Sequence, residues 1–321
     1  MAHEIEGNYA FFGSNTPAWH GLGTVLTDAP SIQEAWSMAY PFQLLKCPLE
    51  TYVEVDGERH RADVAGHACI VRNDGKQLGI VGEGYELEQP IDVLSFFEPY
   101  IESGLVELEA GGSLKEGRRM WALGKVKQSE VDIVPGDTVK AHLLAATSFD
   151  GSMSKLIKWV DTRVVCANTL AVARREISTE YRIKHTKNMK SKIADAQAHV
   201  AATLENHRQA TKLYKALAAK PMTHGAMVTY VRNVLAPEVL DKDYTPQLRT
   251  KVDLVTDLLE SQRGLDLVPA ARGTAWQAYN AVSDYVTHHA GRNEDNRLNN
   301  QWFDAATIGL NSRAMELALA A

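Results

Sequence analysis

Nine residues in the middle of the chain carry the side chains that contact with a polyanion requires. Lys155, Lys158, Arg163, Arg174, Arg175, Lys184, Lys187 and Lys190 supply cations, and Trp159 supplies a ring between two of them. Lysine and arginine neutralise phosphates and release their counterions. An aromatic ring offers an unstacked base a platform worth about 1–3 kcal/mol. From Gly151 to Lys192 the sequence holds ten Lys or Arg against three acids, a net +7. The whole chain has formal net charge −6, so the remainder stands at −13. Local field rather than net charge steers binding, so an acidic protein that gathers its cations in one segment has an anionic partner as its first expectation. A solvated helix face is the plain alternative, and an acidic protein or a phosphate-bearing small molecule are others.

Two strands and a helix start must position these groups. Alternation along Lys155–Val160 puts Lys155, Ile157 and Trp159 on one face and Leu156, Lys158 and Val160 on the other. The face that carries Lys155 beside Trp159 is the one expected to meet phosphate and base. A following strand over Thr162–Leu170 places Arg163, Val165, Ala167 and Thr169 on a common side, with Arg174 and Arg175 just beyond it. Lys184, Lys187, Lys190 and Lys192 open a long helix. Cations there oppose the helix dipole and reinforce a site already favourable to anions.

The rest of the chain divides by texture into an α+β region over 1–186 and a helical region over 187–321. The first half reads as antiparallel hairpins. Turns are expected at Asp56-Gly57 and Asn73-Asp74-Gly75, with a third hairpin across Asp150-Gly151, because such pairs supply the positive φ that tight turns need. Ser31 with Glu34 forms a capping box for one short helix, and a second is expected from Pro90 to about Ser103, before Gly104. From Met189 to Leu217, apolar residues recur in steps of three and four. One stripe therefore runs down a helix of about eight turns ended by Pro221, long enough to pair with a partner helix or with a second copy of the chain. Further helices are expected from about Gly225 to Leu235, from Pro246 to Gly264, from Thr274 to near Gly291, and from Trp302 to Leu319.

Composition excludes several classes. Hydrophobic residues at 45% and charged residues at 23% are those of an ordinary globular protein. No apolar run reaches the roughly 18 residues of a membrane span, and acids stand where a signal peptide would carry its basic region; a cytoplasmic protein is expected. Cys47, Cys69 and Cys166 have no paired spacing, so they are read as small buried apolar residues rather than a disulfide framework or a metal cage.

Other chemistry is weaker. Asp284 and His288 share a helical face, but the pattern matches no known zinc motif. His20 and His67 have no companions at ligand spacing. Cys166 has His185 and Asn168 as nominal partners for nucleophilic catalysis, yet it lies among apolar residues. Gly82-Glu83-Gly84 and Gly111-Gly112 match neither phosphate-binding fingerprint and read as turns, the first with acidic flanks at Glu83, Glu86 and Glu88. Trp276, Tyr279 and Val282 recur at helical spacing, as core residues do. No cofactor and no catalytic residue is expected.

Five phrases in order carry a resemblance. They are Pro17-Ala18-Trp19-His20-Gly21-Leu22-Gly23, Gly82-Glu83-Gly84-Tyr85 with Gln89, Thr162 to Leu170, His185-Thr186, and Gly273-Thr274-Ala275-Trp276 continuing to Tyr285. Together they resemble a phage- and plasmid-borne family, the domain of unknown function 932 type, that recurs near markers of lateral gene transfer. The resemblance implies a mobile-element setting and no activity. The expectation is thus a non-catalytic, self-associating protein that binds nucleic acid, single-stranded DNA above all, in recombination, annealing or replication. A protein-interaction or assembly factor acting on a host process is the alternative, and a metal-dependent or nucleotide-using enzyme the third.

Overall fold

Near the N-terminus, β1 (Ala10–Gly13) runs parallel to β2 (Thr24–Leu26). Helix α1 (Ile32–Ala39) starts at the Ser31 box, where the Glu34 carboxylate accepts from the Ser31 amide at 2.8 Å. Next come β3 (Leu44–Val55), β4 (Glu58–Arg72) and β5 (Gln77–Gly82), an antiparallel sheet of their own. Both expected turns close it: Asp56 and Gly57 take φ of 55° and 82°, and Gly75 takes 90°. The outer part of the β3–β4 ribbon lies beyond the reach of β5 and stays exposed. Lower in the ribbon, Cys47 and Cys69 stand directly opposite one another as free thiols. Sequence spacing expects them apart; strand register brings them together.

The expected helix from Pro90 is two, α2 (Pro90–Ser95) and α3 (Glu98–Glu102). Pro99 restrains the residue before it and opens the second. Strands β6 (Val106–Leu114), β7 (Arg119–Val126), β8 (Val131–Val134), β9 (Asp137–Ser148), β10 (Lys155–Arg163), β11 (Asn168–Leu170) and β12 (Glu180–Ile183) then complete the larger sheet. Its order is β11-β10-β9-β7-β6-β1-β2, with β12 also on β10 and β8 also on β9. Gly111 and Gly112 are not turn residues but lie mid-strand in β6. A Cβ on Gly111 would meet the Phe11 ring at 2.8 Å, so the pair permits β1 to close on β6. The Thr162–Leu170 strand is likewise corrected: β10 ends at Arg163, the chain turns at Val164-Val165, and Asn168 returns opposite Arg163.

Both faces of the larger sheet are buried. Ile157, Leu143, Ala145 and Met120 pack with α1, α2 and the start of α4 (Met189–Ala218), whereas Leu156, Val160, Leu144 and Trp121 form a cluster on the reverse face. That is why β9 reads as a nearly continuous apolar run. The helices α5 (His224–Leu235), α6 (Pro246–Ser261), α7 (Ala275–Asp284), α8 (Glu294–Phe303) and α9 (Ala305–Ala320) follow, with short 3₁₀ turns at Asp241–Asp243 and Pro269–Ala271. Every residue of α7 is buried, and Trp276 and Tyr279 lie at the heart of the helical core, which also takes in Ile133 and Val139 of the sheet. A π-helical turn over Tyr285–His289 extends α7. The single helix expected over Trp302–Leu319 is interrupted at Asp304, whose carboxylate accepts from the Thr307 amide at 2.8 Å and caps α9.

The fold is α+β. This computed structural model describes residues 9–13, 23–165, 168–170, 180–292 and 294–321. Among them no helix is long and apolar enough to cross a membrane. Arg174, Arg175, Cys166 and the Trp19-His20 phrase lie outside the described residues.

Candidate nucleic-acid interface

The alternation expected along β10 is present, but the face holding Lys155, Trp159 and Arg163 points inward. Lys155 has no exposed surface, and its ammonium pairs with the carboxylate of Glu88, itself 4% exposed. Next to this pair His185 is held at both ring nitrogens, by Thr147 Oγ1 at 3.1 Å and the Glu86 carbonyl at 3.2 Å, and it stacks on Tyr85. Burial pushes the His185 pKa below the usual histidine value, with Glu88 opposing. Lys155 is therefore not available to a phosphate.

Trp159 is half-buried beneath α4 and donates from Nε1 to Asp161 at 3.0 Å. The same carboxylate accepts from His207 Nδ1 at 2.8 Å and from the Tyr214 hydroxyl at 3.0 Å, and His207 Nε2 lies 2.8 Å from the Ser129 carbonyl. With an acceptor at each nitrogen, both contacts can be hydrogen bonds only when His207 is protonated and donates twice. Burial works against that charge, but the Asp161 bond and charge and the Ser129 carbonyl outweigh it and hold the pKa above the usual value. A stacking platform at Trp159 is thus replaced by a buried polar joint between β10 and α4.

Arg163 makes the third inward contact. Its Nε and Nη2 donate to the two oxygens of Asp137 at 2.6 and 2.7 Å, and Trp276 Nε1 donates to the same carboxylate at 2.8 Å. Both charged groups are essentially unexposed. The pair ties the end of β10 to the first turn of α7, and its role is structural.

Lys158 faces the other way, paired loosely with Glu180 across β12 at 3.9 Å; burial lowers its pKa, with Glu180 opposing. Lys184, Lys187 and Lys190 are exposed, as are Arg182 and Lys192. These five cations occupy the end of β12, the connection after it and the first turn of α4; no acid occurs between residues 181 and 194, and Arg182 is ion-paired with Glu180 just before them. The Asn188 cap makes no side-chain bond to the helix, and the first turn has no acidic residue. Of the nine expected contact residues the structure therefore groups three on one exposed ridge.

A family model, Domain of unknown function (DUF932), matches residues 77–305, from β5 to the start of α9. The chain belongs to this family. No curated protein and no solved structure matches it. The DUF932 match spans the three buried charge pairs, the exposed ridge and the whole of α7, while the entire β3–β4 ribbon lies outside it.

Three residues of this DUF932 chain carry a signal in sequence yet stand outside the expected contacts. Arg182 and Lys192 belong to the basic window, but alternation and helix period alone do not tell which positions face solvent. Glu88 belongs to the acidic run after β5, which reads in sequence as a turn flank. Among the described residues no three His, Cys, Asp or Glu gather as a metal site. Asp284 instead accepts from the Arg263 amide at 2.9 Å and lies 3.3 Å from His289 Nε2. Along the apolar stripe of α4, Met189, Ala196, His207, Tyr214 and Leu217 are buried within the chain, whereas the side chains of Val200 and Leu204 lie outside the described residues.

Proposed function

We propose that the protein binds nucleic acid through the phosphate backbone, using the ridge formed by Arg182, Lys184, Lys187, Lys190 and Lys192. The observation that carries this reading is the run of five exposed cations from Arg182 to Lys192, with no acid between them in sequence and only Arg182 ion-paired among the described residues, to Glu180, leading into a helix start in a chain of net charge −6. Such a site attracts phosphates and does not read bases. With Trp159 beneath α4, the ground for preferring single strands is gone, and a binder indifferent to strand type and sequence fits the ridge better. The resemblance to a family borne by phages and plasmids supports a mobile-element setting, and the role proposed within it is non-catalytic, in recombination, annealing or replication in the host cytoplasm.

A salt series with single-stranded and duplex oligonucleotides tests the reading. Affinity is expected to fall linearly on a log–log plot, steeply enough to lose several decades if six or more phosphates are neutralised. Absence of binding at about 50 mM salt, where such contacts are strongest, overturns it.

One observation favours a second reading, a protein-interaction or assembly factor. Tyr52, Val53 and Val55 are all exposed near the end of the β3–β4 ribbon, and a run of exposed apolar side chains is a mark of protein contact surfaces.

A further inference from the structure

A cavity of about 220 Å³ opens beside the buried Lys155–Glu88 pair, walled by the β5–α2 connection, α2 and the first turns of α4. Phe96 and Ile193 give it apolar wall, Glu86, Glu88 and Asp92 give it acid, and Lys190 is the one cation among its lining residues. The decisive group is Glu88. One of its oxygens holds the Lys155 ammonium; the other is buried, and no donor of the described residues reaches it. A charged acceptor left unmet inside a protein is costly, and charge-assisted bonds are the strongest way to meet it. Three carboxylates against Lys190 and Lys155 leave one net negative charge at the site, which selects a cation over an anion.

Size and wall chemistry narrow the ligand. An apolar cavity of about 150 Å³ is enough for a single aromatic ring, so this one has room for a ring or short alkyl chain with a cationic head. The Phe96 ring adds attraction for a cation that lies over its face. We infer that this cavity binds a small organic cation, an ammonium or guanidinium on an apolar body, whose N–H donates to Glu88 Oε2. The head group belongs either to a free amine or to a lysine or arginine side chain of a peptide, and the chemistry of the site is the same for both. Nothing in this inference depends on the ridge binding nucleic acid.

The test is titration of the full chain with benzylamine, butylamine and butylguanidine, followed by NMR shifts of Ile193 and Met189 and by calorimetry. Benzyl alcohol and benzoate serve as neutral and anionic matches, and a blocked tripeptide with a central lysine serves as the side-chain source. At least one cation is expected to bind about tenfold or more tighter than benzyl alcohol, the worth of a hydrogen bond to a charged group. Glu88→Gln is expected to erase that preference. Because Glu88→Gln also leaves Lys155 without its counter-charge, Ile193→Trp, which fills the cavity and leaves the ion pair intact, is expected to abolish binding in a chain that still melts normally. Binding of the tripeptide as tightly as butylamine points to a side chain as the natural occupant, and its exclusion points to a free amine. Equal affinity for benzylamine and benzyl alcohol, binding undiminished in Ile193→Trp, or no binding by any of the cations overturns the inference.

Discussion

Arg163 and Asp137 form a two-pronged ion pair in which Nε and Nη2 each meet one carboxylate oxygen, and Trp276 completes the acceptor's needs from α7. The guanidinium, read in sequence as a phosphate contact, is a fastener between the sheet and the helical core. Removing one partner of such a pair strands the other as a buried charge. Arg163→Ala is expected to lose about 3–5 kcal/mol of stability, visible as a lower denaturant midpoint. A variant that keeps its midpoint shows the pair to be dispensable.

Lys155 behaves in the same way, with one difference that a double variant brings out. Lys155→Met alone leaves Glu88 buried and uncompensated, and a loss of about 3–5 kcal/mol is expected. Lys155→Met with Glu88→Gln removes both charges, and most of that loss is expected to return. The coupling between the two substitutions, from urea unfolding of all four chains, is the quantity to measure; additivity contradicts the pairing.

Charge reversal on the ridge separates binding from folding. Lys184, Lys187 and Lys190 are exposed, so changing all three to Glu is expected to leave the melting temperature within a few degrees, as surface substitutions do. Each lost phosphate contact is expected to reduce the log–log salt slope by about 0.9 on duplex and about 0.7 on single strands. Unchanged slopes in the triple variant place the contacts elsewhere.

His207 makes stability depend on pH. Its folded pKa lies above the unfolded value because Asp161 and the Ser129 carbonyl favour the imidazolium. Its contribution is therefore complete below about pH 6.5, the unfolded value, and is lost as pH rises through the folded pKa. The unfolding free energy of the native chain relative to His207→Gln is expected to decline across that window. A difference that stays flat or grows rules out the doubly donating ring.

Gly111 tests the closing of β1 on β6. Gly111→Ala sets a methyl 2.8 Å from the Phe11 ring, and overpacking of that kind costs about 1–3 kcal/mol. Thermal melting compared with Gly104→Ala, where a Cβ meets nothing within 4 Å but takes a positive φ of 71°, distinguishes crowding from backbone strain.

Much of the architecture was legible in local chemistry. Asp56-Gly57, the Ser31–Glu34 box and the start of α6 at Pro246, where the Thr245 hydroxyl accepts from the Leu248 amide at 3.2 Å, each encode their own geometry within four residues, and each is found where the spacing predicts it. The interruptions were harder. Pro99 and Asp304 each read equally well inside or between helices, and Gly111-Gly112 reads as a turn until Phe11 packs across it. For the site, alternation sorted the β10 side chains correctly into two sets. That neither set meets solvent depended on α4 laying His207 and Tyr214 against one of them, on the Leu156–Val160 cluster covering the other, and on Glu88 and Asp137 arriving from sequence positions 67 and 26 residues away. A positive charge in sequence is no guide to whether its counter-charge is waiting in the fold.

Helix α4 spans 30 residues, about 45 Å at 1.5 Å per residue. Its further half is pinned through His207 and Tyr214 to the sheet, so the lysines at its near end hang from a backbone that is already ordered. A ligand that meets them does not have to fold anything. Calorimetry of nucleic-acid association should then record a heat-capacity change near zero, with counterion release supplying a favourable entropy, in contrast to the large negative heat capacity of segments that fold as they bind.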